Sequence, residues 1–257
     1  MNGAAPAAGG EAGHGPKVFH FAEVGSALDI AFDLAHEGRL RIWDSVLAES
    51  QTAGRGQLRR HWHSPPGNIY AALRLPVSPP FDGGAAAAAT GVLAAEALEA
   101  LGWQTAIKWP NDLVLEMAGA PRKVAGILLE ERGGILLAGI GVNVAGRPPQ
   151  EALRPEAALE AGCLAGNDAG HPVPPAAELW PRLVSHMVSA YTDAHIFART
   201  WRGRAEARLL WQGREVVVTD GAEAAIGRLA GLWPSGALRL VTENGALECT
   251  GGSLRPL

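Results

Sequence analysis

Four short stretches of the chain concentrate residues suited to holding and activating anions. The longest, residues 51–70, reads Gln51-Thr52-Ala53-Gly54-Arg55-Gly56-Gln57-Leu58-Arg59-Arg60-His61-Trp62-His63-Ser64-Pro65-Pro66-Gly67-Asn68-Ile69-Tyr70. Gly54 and Gly56 let the backbone turn so that successive N–H groups converge on one charged oxygen. Arg55, Arg59 and Arg60 add fixed positive charge and forked donors matched to phosphate or carboxylate. Like charges repel and glycine loses much entropy on ordering, so this loop is expected to order around its ligand. Taken alone, a Gly-Arg-Gly triplet describes an ordinary turn with solvated arginines equally well.

The other three stretches follow within ninety residues of the first. Lys108-Trp109-Pro110-Asn111-Asp112 sets a lysine, an amide and a carboxylate around a proline corner between two strands, a combination suited to phosphate and metal. By itself it is equally a turn in which Asn111 and Asp112 bond their own backbone. Lys123-Val124-Ala125-Gly126-Ile127-Leu128 brings a second lysine to the start of the next strand. Gly126 lies in the strand interior, where a missing side chain marks close approach by a ligand or another backbone. Gly139-Ile140-Gly141-Val142-Asn143 repeats the device one strand later. A single such glycine describes a bulge, whereas glycines on neighbouring strands describe the floor of a groove.

These residues need elements to carry them. Ser26 is placed to cap a helix whose positions Leu28, Ala31, Phe32 and Ala35 share one face, ending near Gly38. A strand over 40–49 feeds the glycine-arginine loop, and a strand over 68–75 leaves it. Residues 84–101 form an alanine-rich helix stopped by Gly102. Strands over 104–109, 112–117, 123–131 and 135–144, separated by tight turns, predict antiparallel hairpins. Residues 148–175 read as loop with one short helix, and 176–201 as one long amphipathic helix. Short strands over 214–219, 224–229, 237–241 and 246–250, with turns between them, predict a small barrel of the SH3-like type. The fold class is α+β, a central mixed or antiparallel sheet with helices plus a small C-terminal SH3-like β-barrel. The expected divisions are a disordered tail over 1–16, a main domain over 17–208 and the barrel over 209–257.

Composition narrows the function classes. The 257 residues are 47% hydrophobic and 19% charged, a globular balance with enough apolar material for a sizeable core. A net charge of -4 argues against a general nucleic-acid binder, which needs a basic face. The two cysteines, Cys163 and Cys249, fit neither a disulfide framework nor a zinc site and suit a reducing cytoplasm. His61 and His63 lack further ligands nearby for a metal. The first sixteen residues do not have the pattern of a signal peptide. No uninterrupted apolar segment reaches membrane-spanning length, since the run over 85–101 carries Glu96 and Glu99.

With the four stretches in order, the chain resembles the biotin protein ligases, the biotin-[acetyl-CoA-carboxylase] ligase family. The matching motifs are the glycine-arginine loop with W-x-S-P-x-G-N over 51–70, K-W-P-N-D at Lys108 to Asp112, K-x-x-G-I-L at Lys123 to Leu128, and G-x-G-x-N at Gly139 to Asn143. The small C-terminal barrel agrees with the family, and the DNA-binding helix-turn-helix of some members has no place, so the resemblance is to the short form. It implies an adenylate-forming ligase that joins biotin and ATP into biotinyl-5'-AMP, then transfers biotin to a lysine of a biotin carboxyl carrier protein. Magnesium is implied on the ATP phosphates, with no protein ligand assigned. Neither nucleic acid nor membrane is implied as a partner, and members often form homodimers through sheet edges.

Site residues follow from the same resemblance. Arg55, Lys108, Asp112 and Lys123 stand at the catalytic positions, where positive charge offsets the repulsion between the biotin carboxylate and the ATP α-phosphate. Biotin-binding positions are Ser26, Ala27, Gln51, Gly54, Arg55, Gly56, Gln57, Lys123, Gly126 and Gly139. Adenylate-binding positions are Arg55, Arg60, Trp62, Lys108, Asn111, Lys123 and Asn143. Asp112 is the candidate for orienting or deprotonating the incoming lysine amine. Two departures stand out: the usual D-S-T-N becomes Gly25-Ser26-Ala27-Leu28, and in the loop Gln57 replaces an arginine while Arg59 replaces a glycine. The lost arginine predicts weaker retention of the adenylate, unless Arg59 restores the charge. A lipoate ligase shares the fold and chemistry, and a non-catalytic biotin sensor is the alternative of another class. Both remain open at this stage, although the motif wording favours biotin.

Overall fold

The computed structural model describes residues 15–57, 60–149, 159–166 and 172–257. A seven-stranded mixed sheet organises the first two thirds, in the order β1 (Val18–Val24), β2 (Ser45–Gln51), β3 (Ile69–Leu75), β7 (Ile135–Val142), β6 (Ala120–Arg132), β5 (Asp112–Met117), β4 (Ala106–Lys108). The pair β1·β2 is parallel and every other neighbour is antiparallel. Helix α1 (Ala27–His36) makes the crossover between the parallel strands. Because parallel strands end on the same side, Val24 pairs with Gln51 and the chain segments after both strands run side by side. The hairpins expected over 104–144 are present. Strand β1 was not expected from the sequence, although it alternates in burial as an edge strand does.

The two faces of the sheet are covered unequally. One carries α2 (Ala86–Ala100), α3 (Ala176–Ala190) and α4 (Ala194–Glu206), which enclose the larger core. Eleven of the fifteen residues of α2 are buried, because sheet and helices surround it; its alanines allow that close approach. Trp180 of α3, 1% exposed, donates from its indole to Ser45 Oγ at 2.9 Å and ties this layer to β2. Among the described residues the one helix on the other face is α1, whose Leu28, Ala31, Phe32 and Ala35 pack on Val46, Ala48, Ala72 and Leu137. Burial of Phe32 alone contributes about 2 kcal/mol. The glycines at 126, 139 and 141 all fall on this thinly covered face.

Several boundaries differ from the expectation. The single helix over 176–201 is two, because the chain breaks after Tyr191 and Asp193 restarts it, its carboxylate accepting from Ile196 N at 2.9 Å. Ser26 occupies the N-cap of α1 but its hydroxyl makes no capping bond. The strand expected from residue 40 begins at Ser45, since Leu40 closes the helix exit and Trp43 adopts φ 70°. Of the expected tail over 1–16, residues 1–14 lie outside those described. Half of the loop over 148–175 also lies outside the described residues, and the described half contains one 3-10 turn at Leu164–Gly166.

After α4 comes a separate five-stranded sheet, ordered β11 (Gly245–Cys249), β10 (Leu238–Thr242), β9 (Glu223–Leu232), β8 (Glu215–Asp220), β12 (Ser253–Pro256). All of its pairings are antiparallel. Among the described residues β11 and β12 do not pair with each other, so the ladder does not close into a barrel. Its β9–β10 turn fits against the start of α2. Gly84 and Gly236 interlock there: a Cβ on Gly84 would lie 2.8 Å from Ser235 O, and one on Gly236 would lie 2.7 Å from Ala85 Cα. Trp109, 3% exposed, donates to Gly236 O at 3.0 Å.

Candidate active site

The thin face of the sheet holds the motif residues. Gly126 and Gly141 are cross-strand partners on β6 and β7, and the indole of Trp62 lies on them. A Cβ added at Gly126 would lie 2.9 Å from that ring, and one at Gly141 2.7 Å. The glycines of the two strands thus lie side by side, and a side chain of the glycine-arginine loop rests on them. Gly139, one step along β7, serves another purpose: its missing Cβ makes room for Leu28 of α1, at 2.9 Å.

Above Trp62 stand the lysines. Lys123 Nζ is 5.2 Å from the centre of the Trp62 ring and 2.6 Å from Asp112 Oδ1. Lys108 Nζ lies 4.0 Å from Asp112 Oδ2. One carboxylate thus sits between two ammonium groups. Lys108, only 6% exposed, is held by the corner that follows it. Asn111 does not bond its own backbone there: it donates from Nδ2 to Ile127 O at 2.8 Å and accepts from Ile127 N at 2.9 Å, stitching the corner to β6.

The loop leaves and rejoins the sheet through a narrow neck. Gly56 N donates to Arg60 O, Trp62 N donates to Gly54 O, and Arg55 pairs with His61. Gly54 is enclosed, with a hypothetical Cβ 2.7 Å from Ser64 Oγ. Gln51 ties the neck to α1: its Oε1 accepts from Ala27 N at 2.9 Å, and its Nε2 donates to Ser64 Oγ at 3.1 Å. Ser26, 4% exposed, adjoins this junction. Gln57 and Arg60 are exposed at the tip, while Leu58 and Arg59 lie outside the described residues.

The Arg55 side chain does not point its charge at an open anion site. It donates to both oxygens of Asp29 at 2.8 Å and to Glu130 at 2.8 and 3.2 Å. Hydrogen bonds from Arg55 hold the Asp29 carboxyl below its ordinary range, against a smaller opposing effect of burial. Burial pushes Glu130 up, but bonds and charge from Arg55 and Arg132 overcome it and the net shift is downward. Bonds to Asp29 and then Glu130 raise the guanidinium's affinity for its proton. Asn143 is likewise engaged: 5% exposed, it donates to Gly162 O at 2.9 Å.

Sequence reasoning missed four supporting residues. Asp29 and Glu130 carried no signal, being 26 and 75 positions from Arg55. Ser64 and Asn68 lay inside a recognised motif yet received no role. Asn68, 3% exposed, accepts from the amides of Val144, Ala145 and Gly146 at 2.9 to 3.2 Å and donates to Tyr70 Oη. Tyr70 in turn donates to Pro65 O at 2.7 Å, and burial raises its phenol to about 12. An open recess of about 450 Å3 beside the end of α2 is lined by Glu99, Gly102, Gln104, Leu115 and Glu116, none of them a motif residue.

Comparison with known proteins finds relatives of both the sequence and the fold. Residues 37–146 match the model of the biotin/lipoate A/B protein ligase family. Over 213 residues the chain is 38% identical to the biotin-[acetyl-CoA-carboxylase] ligase of Paracoccus denitrificans, covering 76% of this chain and 82% of that one. It is 38% identical over 125 residues to the bifunctional ligase/repressor BirA of Escherichia coli, covering 45% of this chain and 37% of that protein. The structure superposes on the biotin protein ligase of Aquifex aeolicus, solved in complex with biotin and ATP, with a TM-score of 0.74 and 26% identity over 94% of this chain and 99% of that one. The chain belongs to the biotin/lipoate A/B protein ligase family. Within that family its likeness is to the biotin protein ligases.

Proposed function

We propose that this protein is an ATP-dependent biotin ligase that biotinylates a lysine of a biotin carrier domain through biotinyl-5'-AMP. The observation that carries the reading is the Lys108–Asp112–Lys123 set above the Gly126–Gly141 floor. In the first step a biotin carboxylate oxygen donates an electron pair to the α-phosphorus of ATP, and pyrophosphate leaves with the electrons of the broken P–O bond. Two anions must approach, and Lys123 and Lys108 supply the fixed positive charge that stabilises their meeting. In the second step the carrier lysine amine attacks the anhydride carbonyl, AMP departs, and the amine loses a proton. Asp112 is the carboxylate placed to orient that amine or accept its proton.

The remaining roles rest on the family resemblance. Ser26, Ala27, Gln51, Gly54, Gly56 and Gln57 line the biotin end. Trp62 walls the groove, and Asn111, Asn143 and Arg60 serve the adenylate end. Among the described residues no cluster of three or more His, Cys, Asp or Glu is placed to hold a metal, and Asp112 is already spanned by lysines. Magnesium is expected on the ATP phosphates by the family resemblance, where it would neutralise charge on the leaving pyrophosphate. Residues 17–208 are read as the catalytic domain and 209–257 as an SH3-like module. Carrier recognition and a cytoplasmic location belong to the same reading; among the described residues no helix is long and apolar enough to cross a membrane.

Mass spectrometry of a biotin carrier domain incubated with the protein, ATP and either biotin or lipoate tests this. A biotin-sized increment on one lysine is the expected result. A lipoyl-sized increment would move the substrate, and no increment would remove the ligase reading.

A further inference from the structure

Arg55 is the arginine that the sequence places at the heart of the anion-binding loop, yet its side chain is committed elsewhere. A guanidinium has five N–H donors. Four hydrogen bonds leave it here: two parallel bonds to Asp29 at 2.8 Å and two to Glu130 at 2.8 and 3.2 Å. Both carboxylates are on the site face, Asp29 in the first turn of α1 and Glu130 four residues after Gly126 on β6. Arg132 completes the cluster, donating to Glu130 at 2.6 Å and lying over the ring of Phe32. The Arg55 backbone, meanwhile, is part of the loop neck through its pairing with His61. One side chain thus connects the neck to a helix and a strand at once.

We propose that Arg55 is a positioning residue: with Asp29 and Glu130 it clamps the neck of the 54–62 loop to α1 and β6, and so presets Gly54, Gly56 and Trp62 for biotin without itself meeting phosphate. The downward shifts of both carboxyls agree with a clamp that is fully charged at neutral pH. A bidentate pair also fixes orientation, which a single point charge does not. The function of the clamp rests on the ligase reading, because only biotin turnover reports what the loop is preset to do.

The test compares the full chain with Arg55→Met, Arg55→Lys and the double variant Asp29→Asn/Glu130→Gln. Biotin-dependent pyrophosphate release gives kcat and KM for each substrate, and hydrogen exchange of the loop amides without ligand gives the state of the neck. The clamp predicts that the double variant reproduces Arg55→Met: KM for biotin rises about tenfold or more, KM for ATP stays within about twofold, kcat at saturating biotin falls less than about threefold, and the neck amides exchange faster. Arg55→Lys should fail to restore the wild-type KM. A double variant with wild-type biotin KM and exchange overturns the proposal. So does an Arg55→Met enzyme whose defect lies in KM for ATP or in kcat, as expected of a phosphate ligand. If the wild type releases no pyrophosphate, the ligase reading falls, and the exchange data alone then decide the clamp.

Discussion

Asn68 carries no charge, but three successive amides converge on its side-chain oxygen, and those amides begin the segment that follows Asn143. Asn68→Ala would leave them without their acceptor in a buried setting, at about 1–3 kcal/mol. Thermal melting should show a fall of about 2–10 °C. Lys123 acts differently, through charge facing the groove. Lys123→Met should keep the melting temperature within a few degrees and lower biotin-dependent pyrophosphate release by about a hundredfold or more, the scale expected when a preorganised electrostatic partner is lost. At this scale the sequence was readable in kind and less so in arrangement. The lysines, Asp112 and the glycines are legible because their types and order are unusual together. That Asp112 lies between both lysines, and that Arg55 turns to Asp29 and Glu130, depends on contacts across 11, 26 and 75 positions, which no local pattern encodes.

Among the elements, the strands with missing side chains make the sharpest predictions. Gly126→Ala places a methyl group into the Trp62 ring, so the ring must rise off the floor; near-ultraviolet circular dichroism should change and ligase activity should drop with the fold retained. Gly139→Ala instead presses on Leu28 and should destabilise by about 1–3 kcal/mol, seen as a lower denaturant midpoint, because overpacking strains α1 against β7. The clamp between α1, β6 and the loop sets a pH response. Folding lowers both carboxyl values from 3.8 for Asp29 and 4.5 for Glu130. Their stabilising contribution is therefore complete above those ordinary values and is lost as pH falls through the lower folded ones. Melting temperature followed downward from about pH 5 should decline less steeply in Asp29→Asn/Glu130→Gln than in the wild type. The antiparallel hairpins of β4 to β7 were legible through their turns. Strand β1 and the α3–α4 break were not, since an edge strand with mixed polarity reads as loop and one amphipathic stripe runs through both helices.

For the whole molecule, a turn of the C-terminal sheet touches the corner that follows Lys108. Gly236 has φ 82° and no space for a side chain, and its carbonyl holds the indole of Trp109. Gly236→Ala should displace that turn from Ala85 and shift the corner bearing Lys108, raising KM for ATP while leaving biotin binding to the apoprotein close to wild type. Calorimetry with biotin alone, beside the kinetic assay, separates the two effects. The sequence disclosed a second β-rich unit and its approximate start, from closely spaced strands and glycine turns. It did not disclose that this unit braces the first, because the interlocking residues are 127 positions apart.

That separation bears on when the enzyme becomes competent during its own synthesis. A ribosome makes Lys108, Asp112 and Lys123 early, and the groove floor is complete once β7 has emerged. The brace on Trp109 exists only after Gly236 has left the exit tunnel. A nascent chain therefore carries Lys108, Asp112 and Lys123 for more than a hundred residues of elongation before Gly236 can reach Trp109.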